Sequence, residues 1–300
     1  MAVAAGRSEV LIRQRLGALS RALPAARAGD VAAIHQARVA TRRLREALPL
    51  VARGSSARKL TRIVRRLTRA LGPVRELDVA LLTLDDLAAA REVPRDAVTA
   101  LQQAVRQERA RLRMDMARTV DRADMDKVSR KLIAAASKRD KLVLRPRSPH
   151  PKQLATARER AARRAERLRA SIENAAAIYL PDRLHEVRIA VKKLRYAMEI
   201  VRDLTGSRAT VRIMQLKRAQ DLLGRIHDLE VLIARTRAIQ GSPNAPTLLV
   251  SAGMDQLVRR LETECRQLHG RYITMRASLL AICDYAASIP TSRRRRASAA

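Results

Sequence analysis

The sequence predicts an all-α protein: two four-helix bundles related by an internal pseudo-twofold duplication, with a basic central cleft. Three observations predict this fold: an aliphatic composition, apolar residues at helical spacing, and sequence segments that recur. The chain of 300 residues is 47% hydrophobic, with no Phe or Trp and only four Tyr. Short aliphatic side chains suit helix–helix packing better than a β-sandwich. This length can bury two cores of roughly 150 residues each.

The helices are predicted from apolar spacing at the helical period, since the alternation typical of a strand is absent. Asp30 and Asp182 are predicted N-caps of the two helices that contain the recurring segments, Pro49 is predicted to stop the first, and Gly206 lies beyond the second. The other predicted helices cover 9–23, 57–71, 74–92, 96–120, 153–178, 209–223, 226–239 and 254–289.

The chain is predicted to divide near its middle. The segment RPRSPHPK at 145–152 contains three prolines and reads as a linker between a first bundle at 1–144 and a second at 153–289. The basic segment at 290–300 has no apolar periodicity and is expected to be a disordered tail.

Two segments of the first half recur in the second. The segment IHQARVATRRLREAL at 34–48 aligns with LHEVRIAVKKLRYAM at 184–198, an offset of 150, with six of fifteen residues identical. A second segment follows each copy, LGPVRELDV at 71–79 and LGRIHDLEV at 223–231, at an offset of 152. Two aligned segments in one order indicate an internal duplication.

Each copy of the first segment predicts a helix with a row of cations beside its buried stripe. Basic side chains beside the buried stripe are held in place by neighbouring helices, whereas those on the opposite face of the helix are hydrated. Arg43 and Lys193 lie near the far face and are weaker candidates. The candidate anion-binding residues of the two helices are His35, Arg38, Arg42, Arg43, Arg45, His185, Arg188, Lys192, Lys193 and Arg195.

The charge balance predicts an anionic partner. The chain has 62 Lys and Arg against 29 Asp and Glu, a formal net charge of +33 and a pI of about 11.7. Such a charge repels itself, and binding of a polyanion would neutralise it. The planar guanidinium group of Arg can donate two hydrogen bonds to a pair of phosphate oxygens. Because cations one helical turn apart repel each other, two facing rows predict a channel for a long anion.

The second repeated segment predicts supporting residues. Gly72-Pro73 and Gly224 are expected to interrupt the chain and start a new helix. The acids that follow are expected to cap that helix or to orient the basic rows. These acids are Glu76, Asp78, Asp228 and Glu230. Equivalent basic pairs precede the two copies, and these second-rank candidates are Arg65, Arg66, Lys217 and Arg218.

His35 and His185 have two interpretations, since each is either an anion ligand or a group that orients its neighbours. Metal ligation is not expected, because neither has a His-x-x-x-His or His-x-x-Glu partner and the basic row would repel a cation. No cofactor is expected.

The cellular location is predicted from the cysteines and from hydropathy. Cys265 and Cys283 lack metal-binding or redox spacing and read as packing thiols in a reducing compartment. The N-terminal segment lacks a sustained apolar run, and no stretch reaches the ~18 apolar residues of a membrane span. The expectation is a cytoplasmic protein.

The two motifs together resemble the CHAD domain, the conserved histidine α-helical domain. They are His-x-x-Arg-x-x-x-(Arg/Lys)-(Arg/Lys)-Leu-Arg and Leu-Gly-x-x-x-(acid)-Leu-(acid)-Val, each present twice, and the resemblance extends from about residue 9 to 289. It implies two four-helix bundles and a basic cleft or pore that binds inorganic polyphosphate, often at polyphosphate granules. It assigns this role to the ten candidates of the two helices. Some members also carry a triphosphate-processing CYTH domain with Glu-x-Glu-x-Lys, and the nearest match here, Glu262-Thr-Glu264-Cys-Arg266, ends in Arg.

The leading hypothesis is therefore a non-enzymatic polyphosphate-binding protein. One alternative is a protein that binds nucleic acid nonspecifically, which charge alone supports and which lacks a recognition motif and aromatic stacking platforms. The other is a polyphosphate-processing enzyme, for which neither a Walker loop nor a metal-binding acid cluster is visible. These patterns do not predict an oligomeric state.

Overall fold

The computed structural model of the chain describes residues 7–52, 54–90, 93–140, 151–206, 209–243 and 245–289. These residues form α-helices and contain no strand, so the all-α prediction is confirmed. The helices are α1 (Arg7–Ala28), α2 (Val31–Val51), α3 (Gly54–Ala90), α4 (Arg95–Asp121), α5 (Met125–Asp140), α6 (Pro151–Ala175), α7 (Pro181–Thr205), α8 (Thr210–Gln240) and α9 (Leu248–Ser288). Among the helices of these ranges, none is long and apolar enough to cross a membrane.

The helices α2 and α7, which carry the first repeated segment, partly follow the predicted caps. Asp30 is the N-cap of α2 and accepts a hydrogen bond from the Ala33 amide at 2.7 Å, as predicted. Gly206 ends α7 with a left-handed φ of 70°, also as predicted. Asp182 is not an N-cap, because α7 begins one residue earlier with Pro181 at its first position. Pro49 does not stop α2, which continues to Val51 with Leu48 and Leu50 buried.

The predicted break at the second repeated segment is wrong in both halves. Gly72 and Pro73 lie inside α3, and Gly224 lies inside α8. The flanking residues Leu71 and Val74 are fully buried. Tertiary packing of an apolar face supplies most helical stability and here outweighs the local cost of Gly and Pro.

Other helix boundaries also differ from the prediction. The helix α1 continues through Pro24 to Ala28, and α5 was not predicted. Pro151 and Lys152 belong to α6 and not to the linker, because proline is well suited to the first turn of a helix. Residues 145–150 of the linker and the tail at 290–300 lie outside the described residues.

The buried side chains form three hydrophobic cores. The first joins α1, α2, α5 and the beginning of α3 to the end of α7. The second lies among α6, α7, α8 and the end of α9. The third packs the α3–α4 pair of the first half against the α8–α9 pair of the second. The two halves therefore share buried surface, while the pseudo-twofold relation between them stays a prediction.

Asp78 of the second repeated segment has a structural position. Its side chain is fully buried and accepts a hydrogen bond from Arg109 Nε of α4 at 2.6 Å. Arg109 also donates to the Gly29 carbonyl at 2.8 Å, so it ties α4 to α3 and to the turn between α1 and α2. Asp78 thus holds helices together and does not orient the basic row.

Arg109→Met should destabilise the protein by about 3–5 kcal/mol, because it leaves the buried Asp78 carboxylate without its charged partner. Denaturant unfolding followed by circular dichroism would measure this loss. Arg106→Met, at an exposed position on the same helix, is the control and should change stability little. Equal stability of the two variants would show that the buried pair does not stabilise the fold.

Candidate anion-binding site

A cavity of about 470 Å³ lies where α2, α3, α7 and α8 meet. Both copies of both repeated segments contribute to its wall. Its charged and polar lining consists of His35, Arg38, Arg42, Arg43, Arg75, Glu76, Arg188, Lys192, Arg195, Tyr196, Lys217, Gln220, Asp221, Arg225, His227 and Asp228. We call this space the central cavity.

Five cations of the central cavity have no acidic partner: Arg38, Arg42, Arg75, Arg188 and Lys192. Among the described residues, no carboxylate oxygen lies within 4.0 Å of their side-chain nitrogens. The Nε of Arg38 is buried and has no hydrogen-bond partner. Since an unpaired buried charge is costly, these groups favour an anion between them.

Three other arginines that are buried or half-buried have acidic partners. Arg15 contacts Asp203 at 3.2 Å, and Arg160 contacts Glu46 at 2.9 Å. Arg235 contacts Glu108 at 2.5 Å. Partial burial without an acidic partner therefore distinguishes the five cations of the central cavity from these three arginines.

The pKa values of the cavity cations are lowered by their surroundings. Burial, followed by repulsion from Arg42 and Arg188, lowers the pKa of Lys192 to about 6. Burial and repulsion from Arg42 lower the pKa of Arg38 to about 9. Burial likewise lowers the pKa of Arg188, although Asp228 and Glu76 oppose this effect. A bound polyanion would offset the repulsion between these cations and raise their pKa values.

The histidines occupy different places in the two halves. His35 lines the cavity, and burial followed by repulsion from Arg75 lowers its pKa. His185 does not line the cavity, and its Nδ1 lies 3.1 Å from Nδ1 of the lining residue His227. One Nδ1 of this pair must be an unprotonated acceptor. Burial and Arg188 lower the pKa of His227 to about 4.

The two repeated glycines lie beside arginine side chains of the neighbouring helices. A Cβ on Gly72 would lie 4.0 Å from Arg38 Nε, and a Cβ on Gly224 would lie 3.8 Å from Arg188 Nε. A larger side chain in the middle of α3 or α8 would therefore reach the guanidinium group. A Cβ alone would make ordinary van der Waals contact at either position.

The acids of the second repeated segment have separate positions. Glu76 and Asp228 line the central cavity, and burial raises the pKa of Asp228 while Arg188 lowers it. Glu230 lies elsewhere and accepts a hydrogen bond from the Tyr179 hydroxyl. Of the four predicted acids, only Glu76 and Asp228 therefore lie where they could orient the basic rows.

The structure brings eight of the fourteen predicted site residues to the central cavity. These eight are His35, Arg38, Arg42, Arg43, Arg188, Lys192, Arg195 and Lys217. Three of them are already paired: Arg43 and Arg195 contact Glu199, and Lys217 contacts Asp221. These pairs reduce the charge that the three residues can offer to a ligand.

The remaining six predicted residues do not line the central cavity: Arg45, Arg65, Arg66, His185, Lys193 and Arg218. Arg45 stays close enough to lower the pKa of Lys192. Lys193 points into solvent, as its place near the far face of the helix implied. Arg65 and Arg66 border a different groove along α3. Polyphosphate binding by any of the fourteen stays a prediction.

Sequence reasoning missed six charged or polar lining residues: Arg75, Tyr196, Gln220, Asp221, Arg225 and His227. A signal was available for two of them, because Arg75 and His227 occupy the same position of the second repeated segment. These two residues also lie near the aligned pair of histidines. Arg75 lowers the pKa of His35, and His227 contacts His185. Within the ranges described, no three His, Cys, Asp or Glu side chains are grouped so as to hold a metal ion.

Fold and site define an all-α protein whose repeated segments meet at one cavity lined by cations. A model of the CHAD domain family matches residues 10–237, and the chain therefore belongs to the CHAD domain family. No curated protein sequence matches the chain.

Solved structures show the same fold. The crystal structure of the CHAD domain from the plant Ricinus communis is similar with a TM-score of 0.59 at 21% identity, covering 97% of this chain and 96% of that one. PptA from Streptomyces chartreusis is similar with a TM-score of 0.58 at 16% identity, covering 94% of this chain and 96% of that one. At these identities the likeness concerns the fold alone.

Proposed function

We propose that this protein binds inorganic polyphosphate in the central cavity. The observation that carries the proposal is the group of five cations without acidic partners: Arg38, Arg42, Arg75, Arg188 and Lys192. Successive phosphates of one chain would neutralise cations from both halves, through guanidinium forks where these are available. Membership of the CHAD domain family supports the same ligand.

The shape of the site favours polyphosphate over nucleic acid. A thin, flexible linear anion can enter a cavity of about 470 Å³. A duplex would present phosphates only to the rim. Single-stranded nucleic acid usually needs stacking platforms, whereas the chain has four Tyr and no Phe or Trp. Nucleic acid is therefore the weaker candidate.

The proposal includes binding without chemistry, at polyphosphate granules in the cytoplasm. The cavity supplies positive charge for phosphate oxygens and thereby explains retention of a ligand. Incubation with long-chain polyphosphate and Mg²⁺ should leave the chain length unchanged on a polyacrylamide gel. Progressive shortening would instead identify a polyphosphate-processing enzyme.

A competition experiment tests the ligand. Long-chain polyphosphate labelled with a fluorophore should stay bound at a physiological ionic strength of about 0.15 M, with affinity falling as salt rises. An excess of unlabelled duplex DNA, matched in phosphate concentration, should not displace it. Displacement by DNA as effective as by unlabelled polyphosphate would exclude the proposed specificity.

A further inference from the structure

A groove of about 560 Å³ lies between α1, α2 and α7, and we call it the side groove. Its volume is within the range of about 300–1,000 Å³ that is typical of small-molecule sites. His35, Val39 and Arg43 of α2 line both this groove and the central cavity. Because these residues are four positions apart, they form one ridge along the helix. The two spaces therefore share this ridge as a border.

The side groove differs from the central cavity in its charge. Its two acids are both paired, since Glu199 contacts Arg43 at 3.4 Å and Asp203 Oδ1 accepts hydrogen bonds from Arg202 Nε and Nη2 at 3.1 and 2.8 Å. Of the arginines that line the groove, only Arg21 lacks an acidic partner within 4.0 Å among the described residues. Charges that largely neutralise one another suit an uncharged polar group better than the phosphates of a polyanion.

The rest of the lining offers hydrogen-bonding groups and an apolar surface. The side-chain amides of Gln14 and Gln36 are exposed and have no hydrogen-bond partner in the described part of the chain. Such an amide can pair with the edge of adenine through one donated and one accepted hydrogen bond. The guanidinium plane of Arg202, held by its two hydrogen bonds, presents a flat face to a base, and Ala18 adds apolar contact. An aromatic base with a sugar matches this combination of groups.

We propose that the side groove is a nucleoside subsite, and that the protein binds nucleoside oligophosphates with the phosphates in the central cavity and the nucleoside in the groove. This inference rests on the proposed function, because it places the phosphates among the same cations. The ligand passes from one space to the other at the ridge of His35, Val39 and Arg43. Inorganic polyphosphate has no group that suits the side groove, and the two classes of ligand compete for the central cavity.

The test compares ATP with tripolyphosphate by isothermal titration calorimetry, with a chelator present to remove divalent cations. The two ligands have the same number of phosphates, and only ATP has a nucleoside. We expect the wild-type protein to bind ATP about tenfold more tightly, because two or three additional hydrogen bonds contribute that much. Charge alone predicts the opposite order, because esterification of the chain end removes one ionisable oxygen from ATP.

Substitutions at exposed positions locate the nucleoside. Ala18→Tyr fills the side groove and should lower the affinity for ATP to that for tripolyphosphate. Ala25→Tyr is the matched control, because Ala25 is exposed on the same helix and lines neither space. Gln36→Ala removes one hydrogen-bonding group and should weaken ATP binding by about three- to tenfold. All three variants should bind tripolyphosphate like the wild type.

Photo-crosslinking of the wild-type protein gives a second measurement. ATP with a photoreactive azide on the adenine ring should label α1 or the beginning of α2, as located by mass spectrometry. Excess long-chain polyphosphate should prevent this labelling, because it occupies the central cavity. Labelling of α8 in place of α1 and α2 would overturn the subsite, since it would place the base inside the central cavity.

The outcomes separate this inference from the proposed function. Equal affinity of the wild-type protein for ATP and tripolyphosphate, or equal effects of Ala18→Tyr and Ala25→Tyr on ATP binding, would overturn the nucleoside subsite. Either result would leave polyphosphate binding in the central cavity intact. A wild-type protein that binds none of ATP, tripolyphosphate and long-chain polyphosphate would overturn both.

Discussion

Replacement of Arg38, Arg42, Arg188 and Lys192 together by Gln should weaken polyphosphate binding by at least about 10³-fold, since a hydrogen bond to a charged group contributes about 1.5–3 kcal/mol. The four residues come from both copies of the first repeated segment and line one cavity. The chain would keep most of its positive charge, so weak binding at low salt should persist. Isothermal titration calorimetry at several salt concentrations would measure both effects.

The free variant should be folded and at least as stable as the wild-type protein. Burial and mutual repulsion lower the pKa of Arg38, Arg42 and Lys192, so their charged forms are less favourable in the cavity than in water. Neutral side chains remove this repulsion, and the thermal midpoint should not fall. A control variant of the same net charge, in which the exposed residues Arg106, Arg111, Arg130 and Arg271 are replaced by Gln, should bind polyphosphate like the wild type. Full affinity in the cavity variant would show that polyphosphate binds elsewhere.

The repeated segments were the most informative feature of the sequence. Their alignment correctly indicated two helices whose apolar faces are buried, including Ile34, Leu44, Leu184 and Leu194. The spacing of the cations beside these faces led to Arg38, Arg42, Arg188 and Lys192, which the structure brings to one cavity. Helical periodicity was sufficient here because it is a local property of the chain.

Long-range packing explains what the sequence did not predict. Gly72 and Gly224 suggested helix breaks, but each lies within a continuous helix beside an arginine of the neighbouring helix. Which cations are neutralised also depends on partners distant in sequence. Arg43 lies 156 residues from Glu199, and no local pattern indicates their contact. The same limit explains why Arg65 was grouped with the central cavity although it borders another groove.

Polyphosphate binding near neutral pH should be coupled to proton uptake. The pKa of Lys192 is about 6 in the free protein, because of burial and the cations around it, so its amine is mostly neutral at pH 7.5. A bound polyanion would raise this pKa and the lowered pKa values of His35 and His227. Since the complex then binds more protons than the free protein, affinity should rise as the pH falls from about 8 to about 6, by up to about tenfold per pH unit and per coupled group.

Calorimetry in two buffers with different ionisation enthalpies would count the protons. Lys192→Arg is the matched variant, because a guanidinium group keeps the positive charge and is protonated in both free and bound states. It should still bind polyphosphate at pH 7.5 but take up about one proton fewer than the wild type. The protons that Lys192→Arg still takes up on binding would then be those bound by His35 and His227. Equal uptake by Lys192→Arg and the wild type, or affinity that falls on acidification, would show that Lys192 does not titrate with the ligand.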